Sequence, residues 1–178
     1  MPEENYYPVI VGAIDQLWLS ENYDKSQYHI ENTSRKESKI VGPWTRPDLT
    51  LVSYKKFPWT VGFEFDVVTF EVKRPDMANV LAVFEALSHV SVATRAYVVF
   101  PLSEVAWTAG NAAQARRVKD ECARHGVGLI LVESPEKSPV PRHILKANRR
   151  EIDHEKCSDF LDAVLTDAGK RRISQWKT

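Results

Sequence analysis

With 178 residues, 43% of them apolar and 27% charged, the chain has the make-up of a single folded domain with terminal decorations, and no stretch is biased enough to suggest disorder or low complexity. Its 24 basic and 24 acidic residues cancel, which argues against a protein that wraps nucleic acid over its whole surface and confines any such contact to a local site. The two cysteines, Cys122 and Cys157, have neither CxxC nor Cys/His spacing, so a disulfide framework and a zinc site are both disfavoured, and each is expected to be a small buried apolar residue.

The longest apolar runs, Val127 to Val132 and Ala96 to Pro101, are far too short to cross a bilayer, and acidic residues stand near the start where a signal peptide would be basic. The expectation is a soluble cytoplasmic protein without membrane contact.

In chain order, Tyr7, Ile10, Ile14, Leu17 and Trp18 recur at three- and four-residue spacing and predict an amphipathic helix. Between Gln27 and Val41, Tyr28, Ile30, Ile40 and Val41 flank a polar run and predict two short strands or an edge hairpin. Asp48 to Tyr54 and Gly62 to Lys73 are rich in β-branched and aromatic residues. The intervening Lys55-Lys56-Phe57-Pro58 reads as a turn, so the two segments predict an antiparallel hairpin. Asp76 suits a helix N-cap, and Val80, Phe84 and Leu87 define a stripe running to about Val92.

Ala96 to Phe100 is a continuous apolar run, as in a strand covered on both faces. Asn111 to Arg124 is helix-forming and closes at His125-Gly126; with the strand Val127 to Val132 it completes a βαβ-like unit. Ser134 to Pro141 reads as a loop, and Cys157, Phe160, Leu161, Val164 and Leu165 mark a last helix. The expected fold is α/β, a mixed sheet with a central hairpin flanked by helices on both faces, in one domain over 1–178, with 134–178 a helical and basic extension.

The chemistry concentrates in the hairpin. Side chains alternate along a strand, so Glu71 and Lys73 share one face while Phe70 and Val72 point to a core. If the second strand runs back past its partner, Asp48 comes near Glu71. Two adjacent carboxylates repel, and a bridging divalent cation relieves that repulsion; hard oxygen ligands favour magnesium or manganese. An ammonium at Lys73 can orient or deprotonate a water and offset charge gathering on a phosphate.

Pro47-Asp48 followed by Glu71-Val72-Lys73 resembles the signature of the PD-(D/E)xK nuclease superfamily, and the order helix, hairpin, helix, strand is similar to that family's restriction endonuclease-like core. The resemblance covers roughly the first two-thirds of the chain. It implies that Asp48 and Glu71 are metal ligands, that the Val72 carbonyl is a further ligand, and that Lys73 activates water. Glu4, ahead of the first helix, and Glu85, after the motif strand, look like accessory acids. Glu3 competes with Glu4, and an acid there also suits the helix dipole; for Glu85 a solvent contact or salt bridge is the plain alternative. The implied activity is Mg²⁺- or Mn²⁺-dependent phosphodiester hydrolysis, on DNA rather than RNA, of the kind used in restriction, repair or mobile-element defence. A homodimer or larger complex is expected to supply substrate grip.

The plain alternative for Glu71 and Lys73 is an exposed cross-strand ion pair contributing at most about 1 kcal/mol. For the whole chain it is a non-catalytic nucleic-acid-binding or assembly protein that keeps the fold. The basic residues of Arg142 to Arg150 and Lys170 to Lys177 read equally as a solvated face or a phosphate track. Arg74-Pro75-Asp76 is better explained by capping than by metal binding. The five histidines show no HExxH or nucleophile pairing and read as surface or capping residues. Trp44, Trp59, Trp107 and Trp176 read mostly as packing residues, and no glycine loop fits a nucleotide cofactor.

Overall fold

The computed structural model describes residues 1–34 and 46–177. After a short 3-10 turn at Glu3–Tyr6 come α1 (Tyr7–Ser20), β1 (Tyr28–Asn32), β2 (Leu49–Lys55), β3 (Glu64–Val72), α2 (Val80–Leu87) and β4 (Arg95–Phe100). There follow α3 (Glu104–His125), β5 (Gly128–Glu133), β6 (Val140–Leu145), α4 (His154–Val164) and α5 (Asp167–Ser174).

The strands form one mixed sheet in the order β1-β2-β3-β4-β5-β6. β2 runs antiparallel to both of its neighbours, β1 and β3; β3, β4 and β5 run parallel, and β6 returns antiparallel to β5. The parallel steps pass through α2 and α3, because a parallel neighbour requires a crossover long enough to carry a helix.

Strand alternation sends two sets of side chains to opposite faces. Leu49, Leu51, Phe70, Val72 and Val99 meet Ile10, Ile14 and Trp18 of α1. On the other face Val98, Phe100, Leu129 and Leu131 meet Ala82 and Val83 of α2 and Val118 and Cys122 of α3. A third cluster sets Phe160 and Leu161 of α4 against Val52 and Val67. Phe70 sits at the centre of the first, stacked on Tyr97 at 5.6 Å and edge-on to Trp18 at 5.8 Å. Burying such a ring contributes about 1.5–3 kcal/mol.

The hairpin, the βαβ unit and both buried cysteines are as expected. Of the two strands anticipated between Gln27 and Val41, the first is β1; Ile40 and Val41 lie outside the described residues, as does Trp44. Several boundaries differ. β3 starts at Glu64 rather than Gly62, leaving Lys56 to Phe63 as the connection. Asp76 is not a helix cap: Pro75–Met77 is a 3-10 turn, and the Asn79 side chain caps α2 by accepting from Leu81 N–H at 2.9 Å.

α2 buries Ala82, Val83 and Ala86, leaving Phe84 exposed, and it stops at Leu87. The following Val90-Ser91-Val92 are weaker helix formers. α3 begins at Glu104, capped by Ser103, whose side chain accepts from Ala106 N–H. The predicted start at Asn111 is an internal break, where Asn111 recaps the chain by accepting from Gln114 N–H at 3.0 Å. At its end Gly126, with φ of 67°, takes the left-handed conformation that glycine tolerates best.

The expected loop at Ser134 to Pro141 gives way to β6. Pro141 is compatible with a strand there because β6 is an edge, where one side has no ladder to serve. Residues beyond 134 thus contribute a strand to the sheet as well as helices. Among the described residues no helix is long and apolar enough to cross a membrane.

Candidate active site

The register Leu49↔Phe70 sets Asp48, one residue ahead, at the end of β2 where β3 arrives at Glu71. The strand lengths therefore bring the proline-aspartate step and the Glu-Val-Lys step together. Asp48 is fixed from three sides: the Tyr7 hydroxyl donates to Oδ1 at 2.7 Å, Val72 N–H donates to Oδ2 at 2.8 Å, and its backbone carbonyl accepts from Thr33 N–H at 2.8 Å. Below it Thr33 Oγ1 donates to the Pro47 carbonyl at 2.8 Å and meets Thr50 Oγ1 at 2.9 Å.

Glu71 leaves β3 on the face covered by α2 and α3, opposite Phe70 and Val72. Lys73 leaves on the same side just past the strand end, where its N–H still donates to the Val99 carbonyl. Its Nζ lies 2.7 Å from Glu71 Oε1 and 2.6 Å from Glu85 Oε2, and 3.9 Å from Glu3 Oε1. Glu85 reaches this point because Ala82, Val83 and Ala86 face the sheet, which turns the margin of α2 toward the end of β3. The pair is therefore no exposed cross-strand bridge: Glu71 is 6% exposed and Lys73 is tied to three carboxylates.

Among the described residues, Glu3, Asp48, Glu71 and Glu85 gather about the Lys73 ammonium. Burial, then the neighbouring Asp48 and the hydrogen bond with Glu85, push Glu71 up to about 9, so it keeps its proton at neutral pH. Burial likewise raises Asp48, against the opposing hydrogen bonds from Tyr7 and Val72. Glu85 is lowered: burial works against ionisation, but the proton shared with Glu71 and the Lys73 ammonium outweigh it. Lys73 is also raised, the penalty of burial being exceeded by Glu71 and Glu85.

One of the expected site residues takes a different place: Glu4 is exposed, and the acid of that turn which reaches Lys73 is Glu3. Val72 donates its N–H to Asp48, and its side chain lies in the core as expected. Two participants were not anticipated. Tyr7 was legible as an apolar helix residue, but the role of its hydroxyl was not. His89, expected as a surface or capping residue, is 2% exposed, with Nε2 3.5 Å from Glu71 Oε2, and burial lowers it to about 4. Its signal in the sequence was its position four residues after Glu85, on the same side of the chain.

The basic C-terminal segment lies elsewhere. Arg149 Nε donates to Asp66 Oδ1 at 2.8 Å and its Nη2 to the Phe65 carbonyl at 3.0 Å, near the start of β3 and about 17 Å of strand from Glu71. Lys146 pairs with Glu21, Arg142 with Glu133 and Lys170 with Asp162, in largely solvent-exposed ion pairs. Trp107 packs on Phe100, whereas Trp59 is 94% exposed in the β2–β3 connection.

As donors for a cation, Asp48, Glu71 and Glu85 have the hard carboxylate oxygens that magnesium and manganese prefer. The donor chemistry fits. The arrangement is the lysine-compensated one: among the described residues no three His, Cys, Asp or Glu side chains are grouped so as to hold a metal ion.

No family model matches the chain, and no curated protein matches it. Among solved structures it is similar to the SPO1766 protein of unknown function from Silicibacter pomeroyi, at 8% identity and a TM-score of 0.47, over 93% of this chain and 87% of that one.

Proposed function

We propose that the chain is a metal-dependent nuclease with a restriction endonuclease-like core, hydrolysing phosphodiester bonds in DNA rather than RNA. The observation that carries this reading is the buried convergence of Asp48, Glu71 and Lys73 at one end of the β2–β3 pair. The preference for DNA comes from the resemblance of Pro47-Asp48 and Glu71-Val72-Lys73 to the PD-(D/E)xK signature.

In this reading Asp48 and Glu71 hold Mg²⁺ or Mn²⁺, with Glu85 at its margin. When bound, the ion supplies Lewis-acid polarisation of the phosphate and lowers the pKa of a water. Asp48 is pre-aimed by Tyr7 and Val72 N–H, so little ordering is left to binding. Lys73, held protonated by its carboxylate partners, places positive charge against a phosphate oxygen and orients a water. The nearby ionised carboxylate able to accept a proton is Glu85. Glu71 must give up its proton to become a ligand, so acid should suppress activity.

A second reading, a non-catalytic nucleic-acid-binding or assembly protein on the same fold, draws on the zero net charge and on the commitment of the C-terminal cations to internal pairs. One assay separates them. Purified protein is incubated with supercoiled, linear, branched and single-stranded DNA and with RNA, in Mg²⁺, Mn²⁺ or EDTA, beside Glu71→Ala and Lys73→Ala. Metal-dependent cutting lost in both variants supports the nuclease; cutting that persists in both marks a contaminant and defeats it. We also propose a homodimer or a larger assembly, supported by Trp59, Val61 and Phe63 standing exposed in one connection; gel filtration at micromolar concentration tests this.

A further inference from the structure

Beneath the carboxylates two buried polar atoms have no hydrogen-bond partner among the described residues. One is Thr69 Oγ1, on the same face of β3 as Glu71 and two residues before it; the other is His89 Nε2. Buried polar atoms are nearly always hydrogen-bonded, so an orphan beside a carboxylate calls for a physical explanation. His89 Nε2 stands 3.5 Å from Glu71 Oε2, about 0.3 Å beyond the usual hydrogen-bond range. Oε1 of the same carboxylate is meanwhile engaged by Lys73 at 2.7 Å.

We propose that His89 is a positioning residue for Glu71: its Nε2–H donates to Oε2 and fixes the carboxylate so that Oε1 faces the divalent cation. The inference rests on the reading of Asp48 and Glu71 as cation ligands. With Oε1 turned to a cation rather than to the Lys73 ammonium, the carboxylate rotates, and the histidine supplies the hydrogen bond that holds the rotated group. Groups that bind metals are commonly oriented by hydrogen bonds from behind, and loss of such a partner costs about 10–100-fold in affinity. His89 is suited to this. It is 2% exposed, and Ala86 accepts its backbone N–H at 3.2 Å, which anchors the residue at the end of α2 next to Glu85.

The test measures Mn²⁺ binding to the metal-free protein by electron paramagnetic resonance of free Mn²⁺, for wild type, Glu71→Gln, His89→Gln and His89→Asn, each checked for folding by its thermal melt. Gln carries an N–H donor where Nε2 stands; Asn carries it too near the backbone. Wild type should bind, Glu71→Gln should lose binding, His89→Asn should weaken it by about 10–100-fold, and His89→Gln should stay close to wild type. Undiminished binding by His89→Asn, or equal loss in both histidine variants, overturns the proposed role while leaving the cation site standing. Absence of binding in wild type overturns the cation site itself. Long-range ¹H–¹⁵N spectra of the wild-type imidazole need no substitution: a proton on Nε2 in the Mg²⁺-loaded protein is expected, and a proton on Nδ1 alone refutes the proposal.

Discussion

The Val72 N–H donates to Asp48 Oδ2 at 2.8 Å, tying the carboxylate at the start of β2 to the backbone of the strand that carries Glu71 and Lys73. Asp48 therefore sits in a fixed relation to the Glu-Val-Lys step, and the Tyr7 hydroxyl on Oδ1 joins α1 to the same point. Tyr7→Phe keeps the ring in the α1 core and removes only that donor. We expect a stability loss of about 1.5–3 kcal/mol, the range for a hydrogen bond to a charged group, with weakened Mg²⁺-dependent cutting. Urea unfolding monitored by fluorescence checks the first part, and a variant as stable as wild type contradicts it.

Lys73 compensates Glu71 and Glu85 at 2.7 and 2.6 Å. Lys73→Ala leaves the ionised Glu85 without the cation that faces it and should destabilise the metal-free protein by about 1–3 kcal/mol. A divalent cation that competes with the ammonium for Glu71 should bind this variant at least as well as wild type and restore much of its melting temperature, even though cutting is lost. Thermal melts with and without Mn²⁺ decide the matter.

Stability without metal should depend on pH in a defined sense. Burial and Asp48 raise Glu71 from an unfolded value near 4.3 to about 9, so its stabilising protonation is complete below about 4.3 and is lost as pH rises through about 9. Burial lowers His89 from near 6.5 to about 4, so its contribution is complete above about 6.5 and is lost as pH falls through about 4. Glu71→Gln should flatten the decline between pH 5 and 9 by at least about 1 kcal/mol relative to wild type. Denaturant midpoints across that range provide the measurement.

Arg149 tests the assignment of the basic C-terminal segment to structure. It donates to Asp66, which is 2% exposed, and to the Phe65 carbonyl. Arg149→Ala should cost about 1–3 kcal/mol in stability yet leave the cutting rate per folded molecule, and its salt dependence, unchanged. A reduced salt slope with intact stability would instead make Arg149 a phosphate contact.

The central elements were legible because their signals are local. β-Branched runs broken by Pro58 announced the β2–β3 hairpin, and alternation placed Glu71 opposite Phe70. β6 was missed because Pro141 and exposed polar residues mimic a loop, and only its edge position makes it a strand. The extent of α2 was overestimated because Phe84 and Leu87 fit a helical stripe, while the sheet selected Ala82, Val83 and Ala86, whose small side chains allow close approach. At the site, the Asp48, Glu71 and Lys73 set could be read from spacing. Tyr7, Glu3 and His89 enter through tertiary packing, which no spacing within the hairpin encodes.

The central claim is tested most directly by following relaxation and linearisation of supercoiled DNA by wild type and Glu71→Ala, each in Mg²⁺, in Mn²⁺ and in EDTA, at equal concentrations of folded protein. The account predicts cutting by wild type with either metal, none in EDTA, and none by the variant under any condition. Cutting that survives EDTA, or an equal rate in Glu71→Ala, would contradict it.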